Sequence, residues 1–251
     1  MKFFEFGTEH EITLLFLCGY TADWRAAMSA IQELCKTYHV IAAPYDGFNA
    51  DEPESRFVSV AYEGHKIADY LAEHFDGTID IIYGMSLGGM VMTEILHDPR
   101  IKVHTAIADG FTIMYTPDTG SDTLNRLEAK IMANVFWSLT HKHQKLAAKI
   151  IGRTETQVKD FVYPDASKQS YFNAEYSQIG YHYKFRSFNK ADSYLWHGDH
   201  EKQAIRDAQR LQTYGIRFQH KIFSGFGHGS LLHHPALLKQ EIDHAYQGYD
   251  A

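Results

Sequence analysis

Short apolar runs alternate along the chain with longer stretches in which apolar residues recur every three to four positions. The short runs are residues 12–17, 39–43, 79–83, 103–108, 193–196 and 219–223, and their length and composition predict strands. Several are apolar at both alternating sets of positions, as strands covered on both faces tend to be. Residues 3–6 predict a short edge strand. Helical spacing fills residues 24–36, 57–75, 89–97, 201–214 and 236–246. Ala61, Ala68, Leu71 and Phe75 share one face of the second, and Ala204, Ala208 and Leu211 one face of the fourth. Asp98-Pro99 predicts the end of the third, because proline disfavours helical geometry in the residue before it. Pro235 suits the opening turn of the last, where no amide partner is needed. Strand and helix in turn predict an α/β fold with a mainly parallel central sheet flanked by helices.

Residues 111–190 break that rhythm. Helical spacing appears at Leu124, Leu127, Ile131, Val135 and Leu139, and Thr154 with Gln157 resembles a capping box. No convincing buried strand occurs there. The segment therefore predicts a helical insertion over one edge of the sheet, with residues 1–110 and 191–251 forming the core domain.

The 251 residues carry a net charge of −7, which disfavours a nucleic-acid or anionic-membrane surface. Cys18 and Cys35, the only two cysteines, make no disulfide framework and are expected as buried reduced thiols. The opening MKFFEFGTEHE turns acidic at once and lacks the apolar core of a secretory leader. No apolar stretch approaches the ~20 residues that span a bilayer. A cytoplasmic protein without nucleic-acid or membrane partners is expected.

Residues 79–90, IDIIYGMSLGGM, carry the strongest chemical signal. An apolar strand runs into Gly84-Met85-Ser86-Leu87-Gly88 and then into a helix. A serine on such a turn stands its hydroxyl above the carboxyl edge of the sheet. Glycines two residues before and after it leave space that a larger side chain would crowd.

A serine hydroxyl attacks well only when a base takes its proton, and histidine is the usual base. Sixteen histidines mean that position has to single one out. His228, in SGFGHGS, follows the last predicted strand directly and stands at the same carboxyl edge as Ser86. His233 and His234 fit surface positions at a helix start. A carboxylate should orient the imidazole. The strand at 193–196 runs into HGDHE, offering Asp199 and Glu201, and Asp109 follows the strand at 103–108. Glu201, three residues beyond Gly198, leaves room for a turn before the acid points inward, whereas Asp199 suits capping of the next helix. Two amides must face the developing oxyanion. Leu87 supplies one beside the serine, and Tyr20 the other in the Cys18-Gly19-Tyr20 loop.

In chain order the motifs are strand then C-G-Y, strand then G-M-S-L-G-G, strand then I-A-D-G, a helical insertion, strand then H-G-D-H-E, and strand then G-F-G-H-G. The whole chain thereby resembles the α/β-hydrolase fold family, whose nucleophile, acid and histidine come in the order Ser86, Glu201, His228. The resemblance implies Ser86 as nucleophile, His228 as general base and Glu201 as its orienting acid. It further implies Tyr20 and Leu87 as oxyanion-hole amides, residues 111–190 as a cap, and no cofactor or metal. There are two departures. Many members carry histidine-glycine where this chain has Cys18-Gly19, and a thiol cannot make the hydrogen bonds of an imidazole. The N-terminus also leaves little room for the family's first two strands, which predicts a shortened sheet.

The expected activity is hydrolysis of a small-molecule carboxylic ester, or of a thioester or amide, through an acyl-enzyme on Ser86. Handing the same acyl group to an alcohol, thiol or amine would make the protein an acyltransferase. A scaffold without turnover would make it a ligand-binding protein. A phosphate-binding loop is excluded, since Gly89 is followed by Met90 and Val91 rather than Lys and Ser or Thr. Metal binding by His197, His200 and Glu201 would use the acid that His228 needs. His141 and His143, two apart on a predicted helix, point away from each other. No cluster of charge within 111–190 marks the charge of a substrate.

Overall fold

The structure is a computed structural model that describes residues 1–111, 120–151, 154–179, 181 and 185–248. Its strands are β1 (Phe4–Phe6), β2 (Thr13–Leu17), β3 (His39–Ala42), β4 (Thr78–Met85), β5 (Lys102–Asp109), β6 (Asp192–Gly198) and β7 (Gln219–Phe223). They form one sheet in the order β1-β3-β2-β4-β5-β6-β7. Only β1 runs antiparallel, against β3 at the edge; the other pairs are parallel. Every predicted strand is present. Before β2 the chain forms one strand, β1, at the sheet edge.

The helices are α1 (Met28–Leu34), α2 (Val60–His74), α3 (Leu87–His97), α4 (Asp122–His141), α5 (Gln144–Ile151), α6 (Glu155–Phe161), α7 (Lys168–Gln178), α8 (Lys202–Thr213) and α9 (Pro235–Gln247). Side-chain alternation splits the core into two layers. Leu14, Phe16, Val40, Ile81, Tyr83, Ile107 and Trp196 pack with α1 and α9. Leu15, Leu17, Ile41, Ile82, Ala106 and Leu195 pack on the opposite face with α2 and α3. Burial on both faces explains the unbroken apolar runs. α3 ends at His97, before Asp98-Pro99, and Pro235 opens α9.

Ala204, Ala208 and Leu211 are buried on α8. Ala61, expected on one face with Ala68 and Leu71, is exposed; the buried face of α2 consists of Val60, Glu63, Gly64, Ile67, Ala68 and Leu71. α4 departs further. Leu124, Leu127 and Ile131 are each more than half exposed, while Asn125, Ala129 and Ala133 point inward. Small residues on that side let α4 pack closely along α7, so the larger apolar side chains face out. Cys18 is buried and Cys35 only half-buried, and both are free thiols.

The helical segment is tied to the loops beside the sheet by hydrogen bonds. Ala22 and Val162 form an antiparallel bridge, and the Tyr163 amide donates to the Thr21 carbonyl at 2.8 Å. The Asn173 side-chain amide donates to the Phe57 carbonyl at 2.7 Å. Residues 112–119, 152–153, 180 and 182–184 of the predicted insertion lie outside the described residues, as does the Gln157 side chain of the predicted capping box. No described helix is long and apolar enough to cross a membrane.

Candidate active site

Parallel pairing brings the carboxyl ends of β2, β4, β5, β6 and β7 to one edge, where α/β sheets place their ligands. Leu17 pairs with Gly84, Met85 with Asp109, Asp109 with Trp196, and Gly198 with Phe223. The loops carrying the expected site residues therefore lie side by side.

Ser86 caps α3 with φ 54° and ψ −114°. A residue with a Cβ in that region stores roughly 1–3 kcal/mol of strain, tolerated only where the surroundings enforce it. The enforcement is visible. The Ser86 amide donates to the Asp109 carbonyl at 2.8 Å, and the Gly89 amide donates to the Ser86 carbonyl at 2.9 Å. A Cβ on Gly84 would stand 2.6 Å from the Gly88 carbonyl oxygen, and one on Gly88 would stand 2.7 Å from that of Leu17. Only glycines let strand, turn and helix close this tightly. The Ser86 side chain makes no hydrogen bond to its own helix.

His228 Nδ1 lies 3.1 Å from Glu201 Oε1. Against an ionised carboxylate, Nδ1 carries the proton and donates, which leaves Nε2 to accept. Glu201 is nearly buried and His228 partly open. Both rest on Gly110, which turns at φ 60° just after β5. A Cβ there would stand 2.9 Å from His228 Nδ1 and 3.3 Å from Glu201 Oε1. Its neighbour Asp109 holds the Ser86 amide, so the serine turn and the imidazole share one support. The sequence offered Gly110 only as the last letter of I-A-D-G, with no signal for this contact.

Of the three acids considered, Glu201 is the one bonded to His228. The Asp109 carboxylate accepts the Tyr83 hydroxyl at 2.5 Å. Asp199 caps no helix, since the residue capping α8 is Glu201. It accepts instead from the Gly225 amide at 3.0 Å and the Ser224 hydroxyl at 3.3 Å, which pins the loop that carries His228. The Gly225 amide is the main reason its pKa falls below the usual carboxylate range. His233 and His234 are exposed.

The packing of Gly88 against the Leu17 and Cys18 carbonyls sets the Leu87 turn beside the Cys18-Gly19-Tyr20 loop. Among the described residues neither the Leu87 nor the Tyr20 amide donates to a backbone carbonyl. The loop does without an imidazole. The Tyr45 hydroxyl donates to the Cys18 carbonyl at 3.0 Å, and Thr21, at φ 67°, is held by the Tyr163 amide. Burial pushes the Cys18 thiol far up, so it is an inert filler there.

Sequence reasoning also missed a layer behind the site. His197 is fully buried, with Nε2 at 2.8 Å from the Phe111 carbonyl and Nδ1 at 2.9 Å from His220 Nε2. A carbonyl only accepts, so His197 Nε2 carries the proton and Nδ1 accepts from His220. Burial lowers His197, and burial followed by the neighbouring His197 pushes His220 down to about 4. This neutral pair anchors Phe111, next to Gly110.

No protein-family model matches the chain, and no curated protein matches it. Solved structures do. A protein assigned to the alpha/beta hydrolase family from Desulfitobacterium hafniense is similar with a TM-score of 0.76 at 22% identity, over 96% of this chain and 98% of that one. A thermophilic esterase from Thermogutta terrifontis gives 0.70 at 16%, over 96% and 91%. A haloalkane dehalogenase loop variant from Bradyrhizobium elkanii gives 0.71 at 12%, over 98% and 92%. These proteins act on different bonds, so what they share with this chain is architecture. The chain has the α/β-hydrolase fold.

Proposed function

We propose that the protein is a serine hydrolase that cleaves a small carboxylic ester through an acyl-enzyme on Ser86. The observation that carries this reading is the 3.1 Å Glu201–His228 contact, seated on the glycine whose neighbour holds the strained Ser86 turn. His228 Nε2 takes the Ser86 proton as Oγ bonds to the acyl carbon. The carbonyl electron pair moves onto its oxygen, facing the Tyr20 and Leu87 amides. Collapse expels the alcohol, which takes the proton from His228. His228 then deprotonates a water molecule that attacks the acyl-enzyme, and collapse of the second intermediate frees the acid and restores Ser86 Oγ–H. Glu201 keeps the imidazole in the competent tautomer and stabilises its charged form. Residues 111–190 act as the cap that encloses the acyl group, and residues 1–110 with 191–251 as the catalytic core. The esterase of the same fold supports an ester as the bond.

Ser86→Ala should lower hydrolysis of p-nitrophenyl acetate and butyrate by about 10³-fold or more, with the melting temperature kept. Activity equal to that of the unaltered protein would reject the reading.

A further inference from the structure

Several buried polar atoms lack a hydrogen-bond partner among the described residues. Most sit in occupied surroundings: the second oxygen of Glu63 takes the Asp46 amide at 3.1 Å, and that of Asp207 takes the Gln203 side chain at 3.0 Å. Glu175 differs. It lies on the inward face of α7 with Ser170, Tyr171 and Ala174, only 5% exposed, and its Oε1 meets no donor. A stranded carboxylate oxygen costs free energy unless something arrives to satisfy it.

Tyr20 connects this group to the serine site. Its amide is one of the two donors proposed for the oxyanion. Its hydroxyl reaches the Tyr171 carbonyl at 3.3 Å and lies beside the Glu175 carboxyl. Around it the rings of Tyr20, Phe48, Phe136 and Tyr171 form a cluster with centroid separations of 5.4 to 6.0 Å. A primary ammonium group suits this nest on three grounds. Its N–H satisfies the stranded oxygen, its charge meets the carboxylate, and ring faces attract cations. A hydroxyl would supply only the first, and an alkyl group none. The net charge of −7 favours the approach of a cation.

We infer that Glu175 is the recognition residue of a subsite for a primary ammonium group, carried one tyrosine's length from the scissile bond of the substrate. That this substrate is an ester rests on the Ser86 reading; the subsite itself does not.

Burial raises the Glu175 carboxyl to about 7, so near pH 6 it is largely protonated. An ammonium ion binding there favours the carboxylate, and the carboxyl proton is released to the buffer. Tyr20 and Tyr171, the titratable groups that face it, are held above their usual values by burial, Tyr171 at about 12, and keep their protons at this pH.

The test is calorimetric titration of the Ser86→Ala protein with n-alkylammonium ions of four to six carbons and with the matching n-alkanols, at pH 6 in buffers of different ionisation enthalpy. We expect the ammonium to bind about 10-fold or more tighter than the alkanol, with net proton release. Adding Glu175→Gln should remove both the preference and the release, whereas Glu175→Asp should keep part of the preference. Equal affinity for ammonium and alkanol, or proton release unchanged by Glu175→Gln, would overturn the inference. Because no turnover is read, failure of the hydrolase proposal leaves this result independent.

Discussion

In the sheet, apolar side chains point inward on both faces because helices cover both: Leu14 and Phe16 to one side, Leu15 and Leu17 to the other. In the helical segment the apolar stripe of α4 faces out, and polar Asn125 and Glu175 face in. A strand buried on both faces has no face to choose. A helix packed on one side has, and periodicity says which residues share a side without saying which side meets the partner. The two regions also divide the labour. The sheet edge holds Ser86, Glu201 and His228 on rigid supports, and the segment contributes Glu175, whose Oε1 meets no donor among the described residues.

The largest effect tests the sheet edge. Glu201→Gln should lower kcat/KM for p-nitrophenyl butyrate by about 10³–10⁴-fold, and Asp199→Asn by no more than about tenfold, since Asp199 serves the loop rather than the ring. Equal losses would remove the distinction between them. Next, Ile82→Ala in the sheet should cost about 2–5 kcal/mol in urea unfolding, and Ile131→Ala on the exposed stripe within about 0.5 kcal/mol. A cost at Ile131 matching that at Ile82 would mean that the stripe is buried in solution.

The last effect compares the two buried acids. Burial, then the Asp46 charge, raises Glu63 to about 8, and burial raises Glu175 to about 7. A carboxyl whose folded pKa lies above its unfolded value stabilises fully below the unfolded value, near 4.5, and loses that contribution as pH rises through the folded one. Stability should therefore decline between pH 4.5 and 8, by at most about 1.4 kcal/mol per pH unit for each group. Glu63→Gln should flatten the decline up to pH 8, and Glu175→Gln only its part below 7. Melting curves from pH 4 to 9 with unchanged slopes would contradict this.

Much of this was legible in the chain. Apolar runs located the inner strands because in a doubly covered sheet burial and strand coincide, whereas the edge strands β1 and β7 are partly exposed and carry polar residues among the apolar ones. Ser86 and His228 were legible because their loops need glycines in fixed places. Glu201 was separable from Asp199 only as a preference, since both stand within one short turn and contacts, not spacing, decide between them. Gly110, His197 and Glu175 were not legible. Gly110 matters for a ring more than a hundred residues away, and His197 for a carbonyl on another strand's loop. Glu175 matters because no donor among the described residues reaches its Oε1, which no local pattern records.

The central claim is that Ser86 is the acylated nucleophile and His228 its base. Peptide mass mapping after reaction with a fluorophosphonate measures both at once. We expect a single adduct on the peptide carrying Ser86, forming about 10³-fold more slowly in His228→Gln. An adduct on another residue, or an unchanged rate in the variant, would contradict it.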